Sequence, residues 1–200
     1  MELAVKSFSR IDSLIINHGT LSPVKRIADS TPEEWRSLFD VNFFSAVAFV
    51  RFPFALALHH SHIKQIKPAL PHLRKANGRI ILTSSGAATG VYSTWGAYGS
   101  SKAALNHLAM TLAVEEPNVT TVSIRPGVVN TDMQVEVRGH NSIMDAKDAQ
   151  KFKSLYDEGK LLKPDQPGNV MARLAIEGEK GLSGKFLRQV AFGQCCDVEC

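Results

Sequence analysis

The sequence predicts an α/β fold in which short buried strands alternate with helices. Runs rich in Ile, Val and Leu, such as 79–83 and 118–124, have the length and the β-branched content of buried strands. Between them lies the long apolar pattern of 95–116, which suits a helix. The chain of 200 residues is long enough for one domain with its own core.

The composition narrows the class of protein. Hydrophobic residues make up 44% and charged residues 21% of the chain, so extensive disorder is not expected. The net charge of +4 is modest and its basic residues are scattered, which argues against a nucleic-acid partner. No apolar run is long enough for a membrane span, and the first ten residues lack a signal-peptide pattern. We therefore predict a cytoplasmic protein without membrane or nucleic-acid partners.

The stretch 84–102 carries the strongest chemical signal. Tyr98 and Lys102 are four residues apart, so on a helix they share one face and form a plausible acid–base pair. The lysine charge favours phenolate, and we expect it to lower the tyrosine pKa from its ordinary value of about 10. Ser85 follows the strand 79–83, and we expect its hydroxyl to meet that of Tyr98 across a pocket.

A Tyr-x-x-x-Lys pair alone is weak evidence for a catalytic site. A tyrosine whose ring is half-buried and a lysine in solvent, neither with a catalytic role, have the same spacing on many helices. Here a strand ends in Ser-Ser-Gly, a Gly-rich loop follows, and Tyr98 and Lys102 precede Ala-Ala in a helix. This order resembles the short-chain dehydrogenase/reductase family. The resemblance implies that Ser85, Tyr98 and Lys102, with an asparagine further upstream, transfer a hydride between a nicotinamide and a carbonyl or alcohol.

The first strand pattern, 11–19, ends in Asn17-His18-Gly19. The family has Asn-Asn-Ala-Gly at this place. The resemblance implies that Asn17 braces the central sheet and that Gly19 lies against the cofactor. His18 replaces a small residue; it either carries protons or fills the turn, and we favour the second interpretation.

A helix is predicted to begin after Thr31, which forms a capping box with Glu34, while Pro32 suits the first helical position. The pattern continues to residue 47 and contains one polar residue, Asn42, on an apolar run. One interpretation is a satisfied buried amide. The resemblance implies instead that Asn42 holds a water of the proton relay behind Lys102.

The strand 118–124 is followed by a turn at Pro126-Gly127. The resemblance implies that this segment lies beside the nicotinamide, with the backbone of Val129 and the side chain of Thr131 contacting its carboxamide. Beyond it we predict helices over 145–155 and 165–175 and a last short strand near 184–187.

Two segments do not fit the resembled pattern. We interpret 52–68 as an insertion, because removing it joins the flanking segments into a family-like helix end. Its His59-His60-x-His62 group lacks a carboxylate and its adjacent histidines point to different helix faces, so no metal site is expected. Three cysteines, Cys195, Cys196 and Cys200, are interpreted as free thiols of a tail over 191–200.

The Thr-Gly-x-x-x-Gly-x-Gly turn with which family members cradle the cofactor pyrophosphate does not occur in the sequence. The resemblance therefore implies a partial Rossmann-like, doubly wound parallel sheet over 1–190, a single truncated domain without the first strands. The strand at Leu14 is then expected at an exposed sheet edge.

Two functional hypotheses follow from the resemblance. The first is a carbonyl reductase that uses NADP(H) rather than NAD(H) on a small ketone or diketone and forms a homodimer through the helices carrying Asn42 and Tyr98. The alternative is a truncated, inactive family member, or the product of an incomplete gene prediction, that acts at most as a pairing partner.

Overall fold

The computed structural model describes residues 2–50 and 69–189, and four parallel strands form its centre. The strands are β1 (Ser13–Ile16), β2 (Arg79–Thr83), β3 (Thr120–Arg125) and β4 (Phe186–Arg188). They lie side by side in chain order, with Ser13 beside Arg79 and Thr120 beside Arg79 on its other side. The predicted α/β class with a doubly wound parallel sheet is confirmed.

Eight α-helices are present in the described ranges. They are α1 (Glu2–Phe8), α2 (Pro32–Phe39), α3 (Ser45–Val50), α4 (Leu70–Ala76), α5 (Gly96–Glu115), α6 (Asp132–Gly139), α7 (Ala146–Asp157) and α8 (Asp165–Glu177). The sequence patterns predicted α5, α7 and α8 to within a few residues. Within 2–50 and 69–189, none of these helices is long and apolar enough to cross a membrane.

Helix α2 begins as predicted, and the predicted helical path through residue 47 is present, with a π-helical turn inside it. The Thr31 side chain accepts a hydrogen bond from the Glu34 amide, and the Glu34 carboxylate accepts one from the Thr31 amide. After Phe39 the chain forms a π-helical turn over Asp40–Phe44 before α3 starts. A π-turn inserts a residue into the helix and is frequent at functional sites; this one contains Asn42.

Side chains of the central strands alternate between two apolar layers. Ile80 and Leu82 of β2 pack with α5 side chains such as Leu105, while Ile81 faces the opposite layer with Leu174 of α8. All five residues are almost completely buried. Helices on both faces explain why β2 is a continuous apolar run instead of an alternating one.

Strand β1 lies at one edge of the described sheet, as expected for the strand at Leu14. Ile15 of this strand is 42% exposed, and on α1 the side chains of Leu3 and Phe8 are exposed as well. The proposed insertion 52–68 with its three histidines, and the tail 191–200 with its three cysteines, lie outside the described residues. The predicted extent of the domain over 1–190 stays a prediction.

We expect Leu174→Ala to lower the free energy of unfolding by about 3 kcal/mol, because it leaves a cavity in the layer beneath α8. Ile176 is two residues away on the same helix and is 72% exposed, so Ile176→Ala should change stability by less than about 0.5 kcal/mol. Urea unfolding followed by circular dichroism measures both. Equal losses in the two variants would contradict the assigned core.

Candidate active site

The carboxyl ends of the strands meet at one edge of the sheet, as they must in a parallel sheet. Asn17 follows β1, Ser84 follows β2 and Pro126 follows β3. These residues border a cavity of about 540 Å³, a size typical of small-molecule sites. Nine of the ten predicted site residues line it, namely Asn17, Gly19, Ser85, Tyr98, Lys102, Pro126, Gly127, Val129 and Thr131.

The Ser85 and Tyr98 hydroxyls form a hydrogen bond at the cavity wall, as the sequence suggested. Ser85 also accepts a hydrogen bond of 3.1 Å from the Ala87 amide, which fixes its side chain at the start of a short turn over Gly86–Ala88. Tyr98 lies in the first turn of α5 and is only 6% exposed. A serine and a tyrosine hydroxyl thus converge on one point of the cavity.

The expected lowering of the Tyr98 pKa by Lys102 is wrong. Burial raises the pKa of Tyr98 above its ordinary value, and the hydrogen bond with Ser85 is the effect that opposes it. The Lys102 ammonium lies 5.8 Å from the centre of the tyrosine ring, over its face. The tyrosine is therefore a neutral hydroxyl, which suits a proton donor better than a proton acceptor.

Lys102 is a buried cation, not the solvated lysine of the alternative interpretation. Its Nζ donates a hydrogen bond of 2.8 Å to the Thr83 carbonyl at the end of β2, and the side chain is 3% exposed. Burial lowers the pKa of Lys102 from 10.5 to about 8. An ammonium group has three hydrogens to donate, so Lys102 retains donors beyond the one that Thr83 accepts.

Asn42 lies behind the cavity wall. Its hydrogen bonds link the π-turn to the segment after β1 and to α5. Its Nδ2 donates to the Thr20 carbonyl at 2.9 Å and to Ser101 Oγ at 3.1 Å, and its Oδ1 accepts from the Thr20 amide at 2.8 Å. This geometry matches the satisfied buried amide considered above. The water that the resemblance places next to Asn42 stays a prediction.

Gly19 permits a close approach between the turn after β1 and the two buried polar groups. A Cβ at this position would lie 3.1 Å from Lys102 Nζ and 3.2 Å from Asn42 Oδ1. With a Cβ here, the ammonium or the amide would have to shift by a few tenths of an ångström. This close approach is the physical reason for a glycine here.

The neighbouring residues of that turn brace the sheet. The Thr83 hydroxyl donates a hydrogen bond of 3.0 Å to Asn17 Oδ1, which links the ends of β1 and β2. His18 Nε2 lies 2.5 Å from Ser45 Oγ, and its ring packs 5.7 Å from that of Phe49. These contacts favour the interpretation in which His18 fills the turn. Burial and the charge of Lys102 both lower the pKa of His18.

The segment after β3 forms the opposite wall. Gly127 has φ +84°, and a Cβ there would lie 2.6 Å from Leu162 Cδ1, so only glycine suits this position. Val129 pairs with Leu162 in a short parallel bridge, and Thr131 precedes the first turn of α6. The roles that the resemblance assigns to Val129 and Thr131 stay predictions.

Sequence reasoning missed the aromatic wall beside Tyr98. The rings of Tyr92, Trp95 and Phe152 pack together with centre distances of 4.8, 5.3 and 5.6 Å, and Trp95 lies 5.7 Å from Tyr98. Phe152 is the buried residue of α7, which places that helix over the cavity. Tyr92 and Trp95 stood close to Tyr98 in sequence, but Phe152 carried no signal. Gln134, another lining residue, was also missed.

Comparison with known proteins places this arrangement among oxidoreductases. A family model described as short chain dehydrogenase matches residues 1–142. An uncharacterized oxidoreductase of Schizosaccharomyces pombe is 40% identical over 96% of this chain and 72% of its own length. A benzil reductase ((S)-benzoin forming) of Saccharomyces cerevisiae is 40% identical over 90% of this chain and 66% of its own length.

A solved structure of a Saccharomyces cerevisiae short chain dehydrogenase/reductase superposes with a TM-score of 0.83 at 41% identity. The match covers 94% of this chain and 70% of that one. The chain thus spans about two thirds to seven tenths of the length of the relatives it matches.

The buried Lys102 predicts a stability change with pH. Its pKa is about 8 in the folded chain and near 10.5 when unfolded, so between these values the unfolded chain binds more protons and folding gains free energy as the pH rises. Relative to Lys102→Met, the wild-type free energy of unfolding should rise by about 2 kcal/mol between pH 8 and pH 10.

The Lys102→Met variant shares every other titrating group, so the difference between the two unfolding curves isolates the lysine. Urea unfolding of both proteins at pH 7, 8, 9 and 10 measures this difference in the free energy of unfolding. Above pH 10 the raised pKa of Tyr98 acts in the opposite direction, because the folded chain then retains the proton that the unfolded chain releases. A difference that is constant from pH 7 to pH 10 would contradict the buried ammonium.

Proposed function

Because the chain belongs to the short-chain dehydrogenase family, we propose that it catalyses the NAD(P)H-dependent reduction of a ketone or diketone carbonyl to an alcohol. The observation that carries this proposal is the pair of hydrogen-bonded hydroxyls, Ser85 and Tyr98, at the wall of a cavity and one helical turn from the buried Lys102. The benzil reductase among the relatives supports a carbonyl substrate.

The two hydroxyls bind and polarise the substrate carbonyl. Ser85 donates a hydrogen bond to the carbonyl oxygen, and Tyr98 donates a second one from its neutral hydroxyl. A reduced nicotinamide supplies a hydride to the carbonyl carbon when it is bound. As that C–H bond forms, the electron pair of the carbonyl moves to oxygen, and the proton of Tyr98 completes the alcohol.

The residues present fit the nicotinamide end of such a cofactor. Lys102 keeps ammonium hydrogens beyond the bond to the Thr83 carbonyl, and these suit the hydroxyls of a ribose. A Cβ at position 19 would lie 3.1 Å from that ammonium, so the glycine leaves the space beside the ammonium open. Asn17, Pro126, Gly127, Val129 and Thr131 border the same space.

We propose NADP(H) as the preferred cofactor, on the likeness to carbonyl reductases, and the cytoplasm as the location. The cofactor preference is tested by titrating the chain with NADPH and with NADH and following the fluorescence of each cofactor. A tighter Kd for NADH would overturn the cofactor preference and leave the carbonyl reductase proposal in place.

The alternative, an inactive chain that only pairs with another, is supported by the exposed apolar residues beside the edge strand β1. The two proposals differ in what the cavity does. A folded chain that binds neither NADPH nor NADH at millimolar concentration would favour the pairing role over catalysis.

We further propose a homodimer through the helices that carry Asn42 and Tyr98. On α5, Met110 and Val114 lie one turn apart and are 48% and 82% exposed, and near Asn42 the side chains of Val41 and Phe44 are exposed as well. Exposed apolar side chains at this spacing form a stripe that suits a second copy of the chain.

The double variant Met110→Glu and Val114→Glu is expected to convert the dimer to a monomer, since it would bury carboxylates of both copies in a two-fold interface. Ile176→Glu, at an equally exposed apolar site on α8, serves as the control and should remain dimeric. Size-exclusion chromatography with light scattering gives the masses. A wild-type monomer, or an unchanged dimer in the double variant, would contradict this interface.

Tyr98→Phe should lower kcat for carbonyl reduction by a factor of about 10² to 10⁴, because it removes the proton donor and leaves the ring in place. The Kd for NADPH should stay within about twofold of the wild-type value, which separates proton donation from cofactor binding. Oxidation of NADPH is followed by its absorbance with benzil as substrate. Tyr92→Phe, which also removes a hydroxyl from the cavity wall, is the matched control. A fully active Tyr98→Phe variant would overturn the proposal.

A further inference from the structure

The backbone of Thr94 adopts a conformation that a threonine rarely takes. Its φ is +70°, in the left-handed region, where a branched side chain crowds the backbone. Two other described non-glycine residues have a positive φ, Ser9 and Asn77. Ser9 is exposed, and Asn77 ends α4 as an asparagine, which tolerates this region. Among the described residues, Thr94 is therefore the only buried, β-branched one in this conformation, with 6% exposure.

Contacts on both sides of Thr94 hold this conformation. On one side, the Ser93 amide donates a hydrogen bond of 3.3 Å to Asp148 Oδ2, and the Ser93 hydroxyl accepts one of 2.7 Å from the Asp145 amide. On the other side, the Lys25 amide donates one of 3.1 Å to the Thr94 carbonyl, as part of a short parallel bridge. The start of α7 and the loop after β1 thus fix the chain before and after Thr94. A strained backbone persists only where its surroundings determine it in this way.

The strained backbone leads directly into the helix that carries Tyr98. Trp95 is the N-cap residue of α5, and its carbonyl accepts a hydrogen bond of 2.8 Å from the Gly99 amide in the first turn. Tyr98 lies in the same turn, and its ring meets the Trp95 ring edge-on at 5.7 Å. The φ of Thr94 therefore sets the direction in which α5 leaves the loop, and with it the position of the Tyr98 hydroxyl.

Ser85, the hydrogen-bond partner of Tyr98, is held by a different segment. Its hydroxyl accepts a hydrogen bond of 3.1 Å from the Ala87 amide at the end of β2, so its position does not depend on Thr94. The two hydroxyls meet only if α5 starts in the correct direction. A displacement of about 1 Å between reacting groups is enough to lower a rate about a hundredfold. Thr94 is not among the described residues that line the cavity, so it acts through Tyr98 and not on a ligand.

We propose that the strained backbone of Thr94 positions the Tyr98 hydroxyl against that of Ser85. This inference rests on the proposed carbonyl reductase function and adds a positioning residue to its site. A glycine at position 94 would adopt the same φ without strain, but its backbone would also be free to leave that region. The threonine narrows the conformations of the loop, and its hydroxyl donates a hydrogen bond to the Ser93 carbonyl. The first turn of α5 thereby gains order and the folded chain loses some stability.

The test replaces Thr94 with residues that accept a positive φ to different extents. In Thr94→Gly, relief of the strain offsets the lost side-chain contacts, so Tm should stay within about 3 °C of the wild-type value. The kcat for benzil reduction with NADPH should nevertheless fall about tenfold, because the first turn of α5 then samples other directions. The Kd for NADPH should stay within about twofold. Thr94→Asn, whose side chain tolerates the left-handed region, should keep kcat within about twofold of the wild-type value.

Amide hydrogen exchange gives a second measurement, which does not depend on activity. The Gly99 amide, bonded to the Trp95 carbonyl, should exchange at least about fivefold faster in Thr94→Gly than in the wild type or in Thr94→Asn. Asn77→Gly is the matched control, because it also replaces a residue of positive φ, but before the amino end of β2. This control should leave both kcat and the exchange of the Gly99 amide unchanged.

Wild-type exchange of the Gly99 amide in Thr94→Gly, or an unchanged kcat in that variant, would overturn the inference. A Thr94→Gly chain that fails to fold would overturn it too, because the threonine backbone would then not be strained. Equal losses in Thr94→Asn would assign the effect to the side chain, and equal losses in Asn77→Gly would remove its link to α5; both contradict the inference. A wild type that reduces no carbonyl with NADPH or NADH would refute the proposed reaction, while the exchange comparison still decides the role of Thr94. The two failures are thus distinguishable.

Discussion

The burial of the Lys102 ammonium constrains the whole region between α5 and the sheet. Its hydrogen bond to the Thr83 carbonyl links the first turns of α5 to the end of β2. A cation at this depth loses most of its hydration, which is why its pKa falls to about 8. The turn containing Gly19, the π-turn containing Asn42 and the ring of Tyr98 all lie around the ammonium.

Buried polar groups fall into two kinds around this cavity. The first kind has its hydrogen-bond partners within the chain and links its segments. Asn42 makes three hydrogen bonds, and the Thr83 hydroxyl donates one to Asn17. The polar atoms of Gln134 and Trp95 have no such partners in the described residues. Satisfied groups of the first kind hold the shape of the site, whereas the unpaired atoms of Gln134 and Trp95 are themselves buried in its wall.

Much of the site was accessible from local patterns. The spacing of Tyr98 and Lys102, the position of Ser85 after a strand and the capping box at Thr31 each depend on residues a few positions apart, and the structure agrees with all three. The aromatic wall was not accessible in this way. Phe152 meets Trp95 only because α7 folds back over the cavity, and a lone phenylalanine in a polar helix carries no trace of that contact.

The sequence by itself determined the α/β alternation, the acid–base residues and the family resemblance, because hydrophobic periodicity and short motifs are local properties of the chain. Only the tertiary structure decided the protonation of the site and the shape of its substrate wall. Proximity of Lys102 suggested a lowered pKa for Tyr98, yet burial of both side chains raises the pKa of the tyrosine and lowers that of the lysine. Desolvation depends on everything packed around a group, and no short stretch of sequence contains that information.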